Sequence, residues 1–311
     1  MSPGSALSAA ERERLDAIRS AGSLAALRRV MGADSEHAAY LAAKSEWSDL
    51  RDRELPDPGP ADGIPGDRVT VDGRPFHVHG ITHADTEAEG EFLRTHVSER
   101  IAEGAAVYCE EGLRRMYFSA LPEVREMDDY HWALERCEEL DADSHVDLPD
   151  SGLEGLAEEV GSLAARLREA TFELIDSGAA YGEGFRQALG DVASSFLTSH
   201  EDLGAGRGFE AFVRSRAAAE DPGQLPALQR YYATAFLPQP LEREWLRRHD
   251  PELELLTHAR NERMADYVMY HVEDAPAVHL IVGAAHGPGV CYYLEAYRDG
   301  ERRLGDFQPV G

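Results

Sequence analysis

Lysine is almost missing from this chain: Lys44 is its only one, so arginine carries nearly all of the positive charge. Cationic residues are scarce overall, with 31 Lys plus Arg against 58 Asp plus Glu and a net charge of −27 at pH 7. Such a surface repels phosphate backbones, so we expect no nucleic-acid partner. It also suits a salt-rich cytosol, where ions screen the self-repulsion, and we therefore expect a halophilic source. A GC-rich genome, the alternative, explains the missing lysine but not the surplus of carboxylates.

Cysteine is also rare, and long apolar runs are missing. Cys109, Cys137 and Cys291 are far apart, odd in number and form no Cys-x-x-Cys motif, which argues against a disulfide framework and against a thiolate zinc site. No stretch approaches the roughly 20 apolar residues of a membrane span, and no basic region followed by an apolar run stands at the start. We therefore expect a cytoplasmic protein with no membrane partner.

Three common catalytic motifs do not occur: His-Glu-x-x-His, Gly-x-Ser-x-Gly and the P-loop. Their absence argues against thermolysin-like proteases, serine hydrolases with a nucleophile elbow and ordinary NTPases. A hydrolase built on this chain would need a different constellation of residues.

The distribution of Pro, Gly and apolar residues divides the chain into three parts. Residues 1–54 predict a helical N-terminal appendage, with one long helix over Ser8–Met31. Residues 55–66 are dense in Pro and Gly and predict a linker. Residues 67–311 predict an α/β domain in which helices flank a mostly parallel central sheet, with a large helical insertion at about 123–250.

Two histidines follow apolar strands in the same arrangement. A strand ending near His79 leads into a glycine and then His83, and a strand over Ala277–Val282 leads into Gly283 and then His286. A glycine at a strand end lets the backbone turn sharply and approach a ligand closely. Each Gly-x-x-His segment can therefore present its imidazole at the edge of the sheet, although a turn with an ordinary polar histidine is the structural alternative.

A third strand, Ala105–Cys109, ends directly before Glu110. Between it and the strand before His83, Thr86 and Glu89 predict a capping box that opens a helix. This strand-helix-strand unit suits a parallel crossover, which would bring His83 and Glu110 to the carboxyl edge where open α/β sheets bind ligands. Two imidazoles and a carboxylate at neighbouring strand ends predict an open divalent-metal site suited to hydrolysis.

Four short segments resemble the signature stretches of the TraB/Tiki family, in the same order. That family is distantly related to the GumN-type, ChaN-like and erythromycin-esterase-like proteins. The segments are Val78–His83, Val107–Glu110, Arg260–Met264 and Ile281–Gly289.

The resemblance implies a metal-dependent, peptidase-like centre that uses manganese or cobalt, with zinc as the alternative. His83 and His286 would be metal ligands, Glu110 a ligand or general base, and Arg260 an electrostatic stabiliser. Glu111 lies beside Glu110, so which of the two carboxylates is functional stays open. Asn261 and His79 are further candidates for the site.

Several other segments have a functional and a structural interpretation. His77 and His79 point to one face of their strand and can either extend the metal site or hydrogen-bond beneath a covering helix. Residues 141–147 partly match a calcium loop but lack its glycine and its bidentate glutamate, so an acidic turn is expected. Residues 204–208 predict a mobile loop or lid, and residues 200–202 a polar helix end.

The patterns together lead to two hypotheses. The first is a metal-dependent hydrolase that cleaves an amide or ester bond in a small peptide or another small molecule. The second is a protein without catalytic activity that binds a peptide or signal molecule in the same crevice. The oligomeric state stays open.

Overall fold

In the part of the chain that the structure describes, five strands form one mixed central sheet. The strands are β1 (Asp67–Val71), β2 (Arg74–Ile81), β3 (Ala106–Cys109), β4 (Val124–Glu126) and β5 (Val278–Gly283). Their order across the sheet is β1-β2-β5-β3-β4, with β1 antiparallel to β2 and every other pair parallel. The predicted α/β class, a mostly parallel sheet flanked by helices, is confirmed.

The computed structural model describes residues 7–59, 63–140, 208–272, 274–305 and 307–310. Within these ranges no helix is long and apolar enough to cross a membrane. The α-helices are α1 (Ala9–Arg19), α2 (Leu24–Met31), α3 (Glu36–Glu54), α4 (Glu87–Ala102), α5 (Leu113–Phe118), α6 (Asp129–Glu139), α7 (Gly208–Glu220), α8 (Leu225–Ala235), α9 (Gln239–His249), α10 (Pro251–Glu254), α11 (Arg260–Tyr270) and α12 (Gly287–Arg298). A π-helical turn, Leu255–Ala259, joins α10 to α11.

Both faces of the sheet are covered, because its central strands are apolar on both sides. On one face Val78, Leu280 and Val282 pack with side chains of α11 and α12. On the other face Ile81 and Ile281 pack with side chains of α4 and α5. Burial on both sides is typical of parallel strands with helical crossovers. It fixes the sheet at the centre, so its carboxyl edge is a rigid place for a site.

The N-terminal residues form two helices rather than the single helix predicted. α1 ends at Arg19, and Ser23 begins α2 by accepting a hydrogen bond on its side chain from the Ala26 N–H. The side chains of α1, α2 and α3 share a buried cluster with Leu237 and Leu241. These helices therefore pack against the start of α9, and residues 55–59 and 63–66 connect the two parts without a helix or strand.

The predicted helical insertion begins with a strand. Val124–Glu126 pairs in parallel with β3 and forms one edge of the sheet. This strand is only three residues long, so the sequence pattern was too short to identify it. α6, α7, α8 and α9 are helical as expected. The acidic segment 141–147, the polar residues 200–202 and most of the loop at 204–208 lie outside the described residues.

Candidate active site

Three parallel strands end at one edge of the sheet, and each presents a polar side chain there. Ile81 of β2 pairs with Gly283 of β5, and Cys109 of β3 pairs with Ile281. His83, Glu110 and His286 come after these strand ends. The Nε2 atoms of His83 and His286 lie 3.9 Å and 3.6 Å from Oε1 of Glu110. The structure thus brings together three groups that span more than 200 residues of chain.

Gly283 leaves the room that this convergence needs. A Cβ built on it would lie 2.3 Å from His83 Nε2 and 3.3 Å from Glu110 Oε2. Its backbone N–H also donates a hydrogen bond of 2.6 Å to Glu110 Oε2. The strand-end glycine therefore does two things: it admits the imidazole, and it anchors the carboxylate.

Arg260 lies between two buried carboxylates. Its Nη2 donates to Oε1 of Glu110 at 2.6 Å and to Oδ2 of Asp129 at 2.6 Å, and its Nε donates to the same Asp129 oxygen at 2.9 Å. The side chains of Arg260, Glu110 and Asp129 are 4%, 1% and 0% exposed. With two carboxylates on one guanidinium, the buried set keeps a surplus of negative charge when both are ionised.

That surplus affects Asp129 most clearly. Burial raises the pKa of its carboxyl, Arg260 opposes this shift, and the neighbouring charge of Glu110 adds to it. Asp129 also accepts a hydrogen bond of 3.0 Å from the Glu111 N–H, which ties the start of α6 to the end of β3. We call His83, Glu110, Asp129, Arg260 and His286 the carboxyl-edge cluster.

His83 is the solvent-facing member of the carboxyl-edge cluster, with a side chain 42% exposed. Its loop is held by Glu89, which accepts hydrogen bonds from the Thr82 N–H and the Tyr117 hydroxyl, each at 2.8 Å. Burial raises the pKa of Glu89. Half of the predicted capping box forms, since Thr86 accepts from the Glu89 N–H at 3.4 Å. The Glu89 carboxylate contacts Thr82 instead of completing the box.

Two further candidates lie elsewhere. His79 is buried, with Nδ1 3.1 Å from the Pro65 carbonyl oxygen and Nε2 2.8 Å from Nδ1 of His279, so both of its ring nitrogens have partners. The Glu111 carboxylate accepts from the His131 N–H at 2.9 Å and also contacts the His131 ring. Of the two adjacent glutamates, the structure therefore places Glu110 in the cluster.

Asn261 is joined to the carboxyl-edge cluster through His286. Its Oδ1 lies 2.7 Å from Nδ1 of His286, which leaves Nε2 of that ring on the side of Glu110. Gly289 makes this contact possible, because a Cβ there would lie 2.0 Å from Nδ2 of Asn261. The segment after the last strand thus contributes a ligand candidate, His286, and, at Gly289, the space for its hydrogen-bond partner.

Sequence reasoning missed Asp129 and misassigned the side chain of Glu89. An aspartate at the start of a helix is common, and nothing in its neighbourhood indicates a distant arginine partner. Glu89 matched a capping box three residues after Thr86, which hid its contact with Thr82. Only the tertiary structure shows either role.

The donor set fits a divalent metal ion in its chemistry. Bonds of about 2.1 Å place ligand atoms about 3.4 Å apart in the tetrahedral geometry of zinc and about 3 Å apart in the octahedral geometry of manganese. The two imidazole-to-carboxylate distances are somewhat longer, 3.6 and 3.9 Å. Asn261 fixes the ring of His286 in the way that outer hydrogen-bond partners fix metal-ligating histidines. Over the described ranges, no group of three or more His, Cys, Asp or Glu side chains is already arranged to hold a metal ion. Binding would therefore have to draw these donors closer together.

Comparison with protein-family models and with curated proteins gives no match for this chain.

Proposed function

We propose that this protein is a metal-dependent hydrolase that cleaves an amide or ester bond of a small peptide or another small molecule at the carboxyl edge of its sheet. The observation that carries the proposal is the approach of His83 and His286 to one oxygen of Glu110, beside a buried arginine. The TraB/Tiki resemblance supports it and favours manganese or cobalt, with zinc as the alternative.

His83, Glu110 and His286 would hold the ion. When bound, the metal would supply a water of lowered pKa and polarise the scissile carbonyl. Glu110 suits a ligand better than a mobile base, because its side chain is 1% exposed and each oxygen accepts a hydrogen bond. His83, the most exposed of the three, would be the ligand nearest to an incoming substrate.

Arg260 has two tasks in this proposal. Its charge would stabilise negative charge that develops on the substrate, as preorganised cations do in water-excluded sites. It also fixes Glu110, and Asp129 in turn fixes the guanidinium through two hydrogen bonds. The second carboxylate, Asp129, thus orients the arginine.

We also propose a cellular location and a class of substrate for this protein. We place it in the cytoplasm, because its three cysteines are free thiols, which a reducing compartment maintains. Its net charge of −27 supports a small-molecule or peptide substrate rather than nucleic acid, and a salt-rich cytosol.

The test compares variants of the carboxyl-edge cluster with a matched control. We expect wild-type protein to bind about one equivalent of manganese and to hydrolyse members of a peptide and ester panel. His83→Ala, His286→Ala and Glu110→Gln should lose both properties. Glu111→Gln, which alters the adjacent carboxylate outside the cluster, should keep them. Unchanged metal content in both histidine variants would reject the ligands, and a metal-bound protein that cleaves nothing would favour the binding hypothesis.

A further inference from the structure

A chain of buried polar side chains leads from His286 away from the carboxyl-edge cluster. Asn261 Oδ1 lies 2.7 Å from His286 Nδ1, and Asn261 Nδ2 donates to Gln239 Oε1 at 3.1 Å. His258 Nδ1 lies 3.2 Å from the same Gln239 oxygen. All four residues are 3% exposed or less. We propose that Gln239 and His258 are positioning residues that set the tautomer and orientation of His286 through Asn261.

The direction of each hydrogen bond can be derived from the two ends. Arginine has no acceptor, so Arg260 Nη1, 3.4 Å from His286 Nε2, can only donate to that nitrogen. In the neutral form of His286, the single N–H is therefore on Nδ1, and Asn261 Oδ1 accepts it. The Asn261 amide group then faces Gln239, whose carbonyl oxygen accepts. The chain therefore leaves Nε2 as the unprotonated nitrogen of His286, on the side of Arg260 and Glu110.

The far end of the chain agrees with this direction. Gln239 Oε1 is an acceptor, so His258 donates from Nδ1. Its Nε2 is then a bare acceptor, and that buried atom has no hydrogen-bond partner among the described residues. Burial, and after it the charge of Lys44, lowers the pKa of His258 well below its usual value, which keeps the ring neutral. A leucine would fill this place without a buried unpaired atom, so the fold alone gives no reason for a histidine here.

A wide helical turn in the backbone carries His258 next to Arg260 and Asn261. The π-helical turn Leu255–Ala259 contains His258 and directly precedes Arg260 and Asn261. Wide turns of this kind within helices are frequent at functional sites. Gln239 is the first residue of α9, so the hydrogen-bond chain joins α9 to α11 and to the last strand-end segment.

This inference rests on the proposed function for its purpose, but its test does not. In metal-free protein labelled with 15N-histidine, the ring signals of His286 are assigned by their loss in His286→Asn. We expect wild-type His286 to be almost entirely in the Nδ1–H form. Gln239→Leu and His258→Leu should produce a mixture of tautomers. His258→Asn, which offers an amide N–H near the position of Nδ1, should restore the wild-type signal.

Manganese affinity is the second measurement. Loss of an outer partner of a ligating histidine typically weakens metal binding about 10–100-fold, and we expect that range for Gln239→Leu and His258→Leu. His258→Asn should stay within about threefold of wild type, clearly below the lower limit of that range. Because His258→Leu removes the unpaired nitrogen, a folded protein is expected even where Gln239→Leu unfolds.

The inference is overturned if His286 carries its proton on Nε2 in wild-type protein, or if its tautomer is the same in folded His258→Leu. Failure of the proposed function has a different signature, namely metal content that does not depend on His83 or His286. The tautomer is read without metal, so the two failures are separable.

Discussion

Gly283→Ala should separate the function of the carboxyl-edge cluster from its stability. The new Cβ would lie 2.3 Å from His83 Nε2, where ordinary contacts begin near 3.4 Å. The ring must therefore move by about 1 Å, and a misplacement of that size at a reacting group costs about 100-fold in rate. Because His83 is exposed and belongs to a loop, its displacement costs little folding energy, and we expect a loss of about 1 kcal/mol, at the low end for overpacking.

The assay pairs urea unfolding with manganese binding and hydrolysis. Gly287→Ala is the matched control, since a Cβ at Gly287 meets nothing within 4 Å and the residue belongs to the same strand-end segment. We expect this control to resemble wild type in all three measurements. Gly283→Ala with wild-type metal binding and activity would refute the reasoning, and so would a loss of several kcal/mol of stability.

Three further predictions concern stability. Arg260→Ala leaves Glu110 and Asp129 buried without their cation and should lower the free energy of unfolding in urea by about 3–5 kcal/mol; a loss below about 1 kcal/mol would contradict the pairing. Burial lowers the pKa of His79 to about 4 and of His279 to about 3, below the unfolded value of about 6.5, so stability is complete above pH 6.5. The free energy of unfolding should fall as the pH drops from 6.5 towards 4, by at most about 1.4 kcal/mol per pH unit for each histidine. The double variant His79→Asn/His279→Asn should lose this part of the pH dependence. The net charge of −27 predicts a free energy of unfolding that rises between 0.1 and 1 M KCl, and a flat or falling curve would count against the halophilic interpretation.

The strand ends could be predicted because their signal is local. An apolar strand, a glycine and a histidine three residues later occur twice, and the strand-helix-strand unit predicted His83 and Glu110 at one edge of the sheet. That His286 joins them was implied by the TraB/Tiki resemblance, not by the spacing. The fold class followed in the same way, from the alternation of apolar strands and helical patterns. Such features depend on neighbours in sequence.

What could not be predicted depends on contacts across the chain. Asp129 is 131 residues from Arg260, and no local pattern distinguishes it from an aspartate that begins a helix. β4 is three residues long, too short for an apolar period. The break between α1 and α2 lies at residues 20–23, where Ser23 caps α2 although the apolar stripe continues across the break.

Manganese soaked into crystals of this protein tests the central claim most directly. The account predicts one anomalous-scattering peak bonded to Nε2 of His83, Nε2 of His286 and Oε1 of Glu110, at distances of about 2.0–2.3 Å. A peak bound by other residues, or an absent peak at saturating manganese, would contradict it.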